Sequence, residues 1–254
     1  MPFLNVAASG SSGNCCCIEH GDNLIFIDAG AAYKHVADAL SETELNNKRI
    51  SLFLTHEHND HIKGLKPFLN KLNPTVYTSE GTACELERKG FDVSRFMIID
   101  PDFLYELDGF SVTPFSITHD GHEPFAFRFD LGEKKIAMAT DLGVAGTYIL
   151  EHLSEAESVI LESNYEEKLL AEGAYPEYLK RRILSHKGHL SNKEAINAVG
   201  FLSRDKLKKV IFAHVSHENN SYDLLDKYSA FCCDNFGVEA IYLRRETVVR
   251  KIDL

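Results

Sequence analysis

The sequence predicts a mixed α and β (α+β) fold in a single domain over residues 1–254. Three observations predict it. Short apolar or alternating runs recur, each bounded by Gly, Pro, Asn, Asp or Ser. These strands arrive in two batches with helical segments between them, which suits two packed sheets with helices outside. At 254 residues, 44% hydrophobic and 26% charged, the chain can bury one large core. No linker, internal repeat or low-complexity stretch divides it.

Taken in order, Phe3 to Ala7, Cys15 to Glu19 and Asn23 to Asp28 read as strands. Ser9 to Asn14 joins the first two. Its composition is that of a hairpin turn. A Gly/Ser loop also offers backbone N–H groups and hydroxyls to a phosphate, so Ser12 and Asn14 are candidate substrate contacts. Asp28 ends an apolar strand, where it suits either a helix N-cap for Tyr33 to Glu42 or a hydrogen-bond partner that orients a metal-binding imidazole. Ile50 to Leu54 reads as a buried strand and Lys63 to Asn73 as a helix. Thr75 to Thr78 is a strand, and Glu80 to Lys89 a helix closed by Gly90. Tyr105 to Ser116 reads as a hairpin turning at Asp108-Gly109. Phe125 to Leu131 and Lys135 to Ala139 form another. Ser158 to Glu162, Val210 to Ala213 and Ala240 to Leu243 are strands. Pro176 to Leu184, Ser191 to Leu202 and Ser221 to Phe236 are helical.

The stretch with chemistry is Thr55-His56-Glu57-His58-Asn59-Asp60-His61, on a tight strand-to-helix loop. Imidazole nitrogen and carboxylate oxygen are ligands that Zn, Mn and Fe accept. Crowding three imidazoles and a carboxylate gains nothing structurally, and a divalent metal removes the cost. His56 and His58, at i and i+2, point one way in an extended chain. Asp60 and His61 follow where the chain turns and face a neighbouring position. One loop thus suits two ions about 3.5–4 Å apart, the separation of two-metal hydrolysis. The bland alternative is a His-rich surface loop. His-x-His-x-Asp-His after a buried strand resembles the signature of the metallo-β-lactamase superfamily. That resemblance implies a four-layer αββα sandwich.

A two-metal site needs further ligands. Three later segments share one form, an apolar strand ending in His or Asp: Val112 to Thr118 before His119, Ile136 to Thr140 before Asp141, and Val210 to Ala213 before His214. The assignment is His56, His58 and His119 to one metal, and Asp60, His61 and His214 to the other. Asp141, with two carboxylate oxygens, bridges. The ions expected are Zn or Mn, and Fe accepts the same ligands.

Composition limits the partners. The formal charge is −11, from 27 basic and 38 acidic residues, which excludes broad adhesion to nucleic acid. A polyanion is expected only at a metal-bearing cleft. No apolar run approaches the roughly 20 residues that span a bilayer. The N-terminus lacks the pattern of a signal peptide. Five of the six cysteines sit in runs, a poor disulfide framework, so they read as reduced and packed, and the location as cytoplasmic.

Across nearly the whole chain the sequence resembles the YycJ/WalJ branch of the superfamily. The matching stretches are Ser9 to Asn14, Thr55 to Gly64, Ser116 to Pro124, Ala139 to Gly143, Leu161 to Asn164, Lys180 to Ser191, and Ala213 to Asn220. Lys180 to Ser185 and Gly188 to Asn192 point to this branch. The resemblance implies a DNA exonuclease that hydrolyses a phosphodiester through a hydroxide held by two metals. Asp60 would orient that water or act as its base. His189, just before a helix, would donate to the leaving oxygen or hydrogen-bond the phosphoryl group. Arg181, Arg182, Lys187 and His217 are candidate contacts to flanking phosphates, although a basic helix face is more often only solvated. Tyr165 stands where many members carry His. The rival reading is hydrolysis of a small thioester, lactone or other ester with the same metals. Oligomeric state is not legible.

Overall fold

The computed structural model describes residues 1–244 and 247–254. Among them the chain forms two mixed sheets with flanking helices, divided into two compact units. The first unit holds Met1–Ser116, Gly121–Phe125 and the C-terminal residues. The second holds Ile117–Asp120 and the chain from Ala126 onward to 244.

The first unit begins with β1 (Phe3–Ala8), β2 (Cys15–His20) and β3 (Asn23–Ile27), an antiparallel meander. Helix α1 (Tyr33–Ala39) leads to β4 (Arg49–Phe53), which lies parallel to β3 with Ile27 opposite Phe53. The helix expected over 63–73 is α3 (Leu65–Leu72), and a separate helical turn, α2 (Asn59–Ile62), precedes it. The break has a local cause. Gly64 gives its N–H to Ala29 O at 2.9 Å instead of to the helix ladder. Asp60 and His61 therefore sit in a helical turn rather than in an open loop. Strand β5 (Thr75–Thr78), helix α4 (Glu80–Arg88) and strand β6 (Met97–Ile98) complete the parallel half of the sheet. The Ser79 hydroxyl caps α4 by accepting from Thr82 N. Strands β7 (Tyr105–Leu107) and β8 (Phe110–Ser116) form the expected hairpin. The core of this unit gathers Leu24, Phe26, Leu52, Leu54 and Phe68, and Phe26 meets Phe68 edge-on at 4.8 Å. Cys15 and Cys17 pack into the same core, and all six cysteines are free thiols.

The second unit runs β9 (Phe125–Asp130), β10 (Lys135–Ala139), α5 (Thr147–Ser154), β11 (Ser158–Glu162), α6 (Glu167–Glu172), α7 (Glu177–Ile183), α8 (Asn192–Leu202), β12 (Lys209–Ala213), α9 (Tyr222–Phe236) and β13 (Glu239–Tyr242). Strands β10, β11, β12 and β13 are parallel neighbours, and β9 pairs antiparallel with β10. Every residue of β11 is buried, as expected of a strand inside a parallel sheet covered on both faces. A reciprocal capping box between Ser191 and Glu194 starts α8, and left-handed Gly237 closes α9. Helices α5 and α6 and strand β6 escaped the sequence reading. So did β14 (Val249–Asp253), which pairs antiparallel with β1 in the first unit.

Candidate metal centre

In both units most of the chemistry-bearing side chains follow the carboxyl ends of parallel strands, where α/β sheets bind ligands, while His119 follows antiparallel β8. In the first unit these ends belong to β3 and β4. The rings of His56 and His61 stand 4.1 Å apart between centroids, and those of His56 and His58 4.5 Å. His56 and His61 are buried, and His58 and Asp60 are half-buried.

Asp28 organises this group. It is fully buried and adopts a left-handed backbone, φ 60°, just past β3. Its Oδ2 lies 2.6 Å from His61 Nδ1, and its Oδ1 accepts from Thr55 N at 2.8 Å. The Thr55 hydroxyl donates to Asp28 and lies 2.9 Å from His56 Nδ1. A carboxylate and a committed hydroxyl can only accept at those positions, so each Nδ1 carries the proton and each Nε2 presents its lone pair. The cap of α1 is Ala32, so Asp28 is not the helix N-cap. Asn14 closes the other side. Its Oδ1 accepts from Gly10 N at 2.9 Å, which aims Nδ2 at Asp60 Oδ2 (3.2 Å) and His61 Nε2 (3.1 Å). Glu57, inside the His-rich stretch, turns away and accepts from His122 N through both oxygens.

The second unit repeats the device. Asp141 follows β10 at φ 58°, and His214 follows β12 at φ 54°. With Asp28 that makes three left-handed, non-Gly residues at strand ends. Such positions cost roughly 1–3 kcal/mol each and cluster at functional sites. His119 Nδ1 lies 3.2 Å from Gly188 O, a carbonyl that can only accept, so Nδ1 is the donor atom of the ring. Asp141 Oδ1 lies 3.7 Å from His119 Nε2 and 3.5 Å from His214 Nε2. Donor atoms of Asp141, Glu162, His189 and His214 all fall within 4.8 Å of one another, a spacing that suits a metal ion.

Glu162 is the functional residue that sequence reasoning missed. Its fully buried Oε1 lies 2.8 Å from His189 Nδ1 and 2.9 Å from His214 Nδ1. Its Oε2 accepts from Leu142 N and Leu190 N. Burial pushes this carboxyl up, but the facing His189 and His214 outweigh it and hold it below the ordinary carboxylate range. The available signal was an acid ending the apolar run Val159-Ile160-Leu161, the same form that marked Asp141.

The proposed substrate contacts are more dispersed. Asn14 touches Asp60 and His61, while Ser12 is exposed and its carbonyl accepts from Lys63 Nζ. Arg181 and Lys187 are exposed on and beyond α7. Arg182 is forked onto Asp120, and exposed His217 meets Glu218 at 2.7 Å. Tyr165 is buried with Leu170 and Ile183. Its hydroxyl is pushed up to about 12, first by burial and then by Glu194, Glu167 and Glu162. At neutral pH it is an uncharged packing residue.

Comparisons with known proteins bear on this arrangement. Residues 24–214 match the beta-lactamase superfamily domain. The exodeoxyribonuclease YycJ of Bacillus anthracis is 32% identical over 224 residues, 87% of this chain and 85% of the relative. The exodeoxyribonuclease WalJ of Streptococcus pneumoniae is 29% identical over 225 residues, 87% and 84%. Among solved structures, the metallo-beta-lactamase fold protein YhfI from Bacillus subtilis superposes with a TM-score of 0.74 at 16% identity, covering 98% of this chain and 99% of that one. Zn(2+)-bound PqqB from Methylobacterium extorquens gives 0.73 at 14% identity, covering 99% and 100%.

Proposed function

The chain belongs to the metallo-β-lactamase superfamily of metal-dependent hydrolases, and on that premise we propose that it is a nuclease, an exonuclease that hydrolyses phosphodiester bonds of DNA. One observation carries the metal part of the reading. Four imidazoles, His56, His61, His119 and His214, each direct Nδ1 at an oxygen, which makes Nε2 the ring atom that would bind a metal. The donor set of nitrogen and carboxylate oxygen fits Zn or Mn, and Fe accepts it too.

In this reading His56, His58 and His119 would hold one ion, Asp60, His61 and His214 the other, and Asp141 would be available to both. Two divalent ions would activate water near neutral pH and take up charge on phosphoryl oxygens. Asp60, its Oδ2 held by Asn14 Nδ2, would orient a water there or act as its base. His189, with Nδ1 held by Glu162, keeps Nε2 for the leaving oxygen or the phosphoryl group. Arg181 and Lys187, exposed on the second unit, are contacts for flanking phosphates. The relatives named exodeoxyribonucleases support DNA as substrate. The net charge of −11 confines that contact to the neighbourhood of the metals. Among the described residues no helix is long and apolar enough to cross a membrane.

The test is Zn- or Mn-loaded protein on end-labelled single- and double-stranded DNA and RNA, with a thioester and a lactone alongside. Stepwise shortening of DNA, absent from Asp60→Ala, is expected. Turnover of only the small esters would overturn the reading.

A further inference from the structure

Sequence pattern groups Arg182 with Arg181 and Lys187 as phosphate contacts. The fold engages it otherwise. Its Nε donates to Asp120 Oδ2 at 2.6 Å and its Nη2 to Oδ1 at 2.9 Å, a two-point fork with planar geometry. Asp120 is the next residue after His119, and its Oδ1 stands 3.3 Å from His119 Nε2.

The other side of the His119 ring meets the same stretch of chain. Its Nδ1 faces Gly188 O, six residues beyond Arg182. The turn between them, residues 182–188, also closes over the segment that follows Asp141. A Cβ at Gly143 would lie 1.8 Å from His186 O, so the two backbones are in direct contact, and Gly143 N donates to Thr118 O at 3.0 Å. One turn thus braces both His119 and the strand end that carries Asp141.

We propose that Arg182 is a positioning residue for His119 rather than a contact for nucleic acid. The fork onto Asp120 pins residues 117–120 to the end of α7 and fixes the direction of His119 Nε2. Both partners are partly exposed, so the pair contributes little to global stability. Its effect falls on the metal site. The inference rests on the metal reading given above.

The experiment compares wild type, Arg182→Ala, Asp120→Ala, the double variant and Arg182→Lys. Each is stripped, titrated with Zn or Mn against a chromophoric chelator, melted, and assayed on DNA over a salt series. Expected results are unchanged melting of the metal-free proteins and metal affinity about tenfold weaker in both single alanine variants. Activity falls in kcat with KM for DNA retained, and the double variant is no worse than either single one. Arg182→Lys rescues poorly, because an ammonium lacks the planar fork. The inference is overturned if metal affinity is equal in all variants. It is also overturned if Arg182→Ala raises KM and lowers the salt slope by about one while Asp120→Ala lowers KM, the signature of a phosphate contact. Wild type that takes up no metal would instead overturn the metal reading itself.

Discussion

Asp28→Asn changes one oxygen to an amide nitrogen at the best-connected carboxylate of the first unit. The substitution keeps volume, and Asn tolerates the left-handed backbone found there, φ 60°. The negative charge and the hydrogen-bond pattern are what is lost. If the carboxamide oxygen stays on Thr55 N, its NH2 faces His61 Nδ1 across a distance that is 2.6 Å in the native protein. Two donors then meet. The lost charge-assisted bond is worth about 1.5–3 kcal/mol. His61 escapes the clash by moving its proton to Nε2, the atom that accepts from Asn14 Nδ2 at 3.1 Å and that a metal requires. Metal affinity should fall about 10–100-fold, or roughly 1.4–2.8 kcal/mol. The metal-free protein should melt about 3–12 °C lower, at 2–4 °C per kcal/mol for a chain of this size. Chelator competition reads the affinity and calorimetry the melting. Wild-type metal affinity in a folded Asp28→Asn protein would refute the tautomer argument, whatever the melting temperature does.

Further outcomes follow from the same geometry. Glu162→Gln puts an NH2 group against either the His189 and His214 rings or the amides of Leu142 and Leu190. Two donors lose their acceptor either way, a cost of about 3–6 kcal/mol that urea unfolding of the metal-free protein should show. Gly30→Ala would place a Cβ 1.6 Å from Asp60 O, backbone against backbone, so soluble yield or metal uptake should collapse. Iodoacetamide on native protein should label exposed Cys84 and Cys233 and spare Cys15, Cys16, Cys17 and Cys232, as mass spectrometry would show. Burial, then Cys233, pushes the Cys232 thiol up to about 11 from 9.0. A raised value in the folded state favours the neutral form, so its contribution is complete below pH 9 and is lost as pH climbs toward about 11. Cys232→Ala should therefore flatten the alkaline limb of a stability–pH curve.

Much of the candidate site could be read locally. The His56–His61 stretch follows a buried strand, and His119, Asp141 and His214 each terminate an apolar run. Strand periodicity finds such residues because the polar end of a buried strand is visible in one segment. The same pattern was present at Glu162, but its importance depends on neighbours. It matters because β11 lies between β10 and β12 and because His189 and Leu190 return to it from 27 and 28 residues away. Strand β14 was missed for a related reason. Its charged Arg250, Lys251 and Asp253 dilute the apolar signal, and it is stabilised by pairing with β1 at the far end of the chain.

The sequence by itself determined most of the elements, the family and a candidate set of donor residues, since each depends on residue type and on spacing within a few turns of chain. Only the tertiary structure decided which ring nitrogen each histidine offers, that Asp28, Thr55 and Glu162 make that choice, and that Arg182 faces Asp120, 62 residues away in sequence. A hydrogen bond needs its partner within about 3 Å, and between distant segments only the packed strands and helices set that distance.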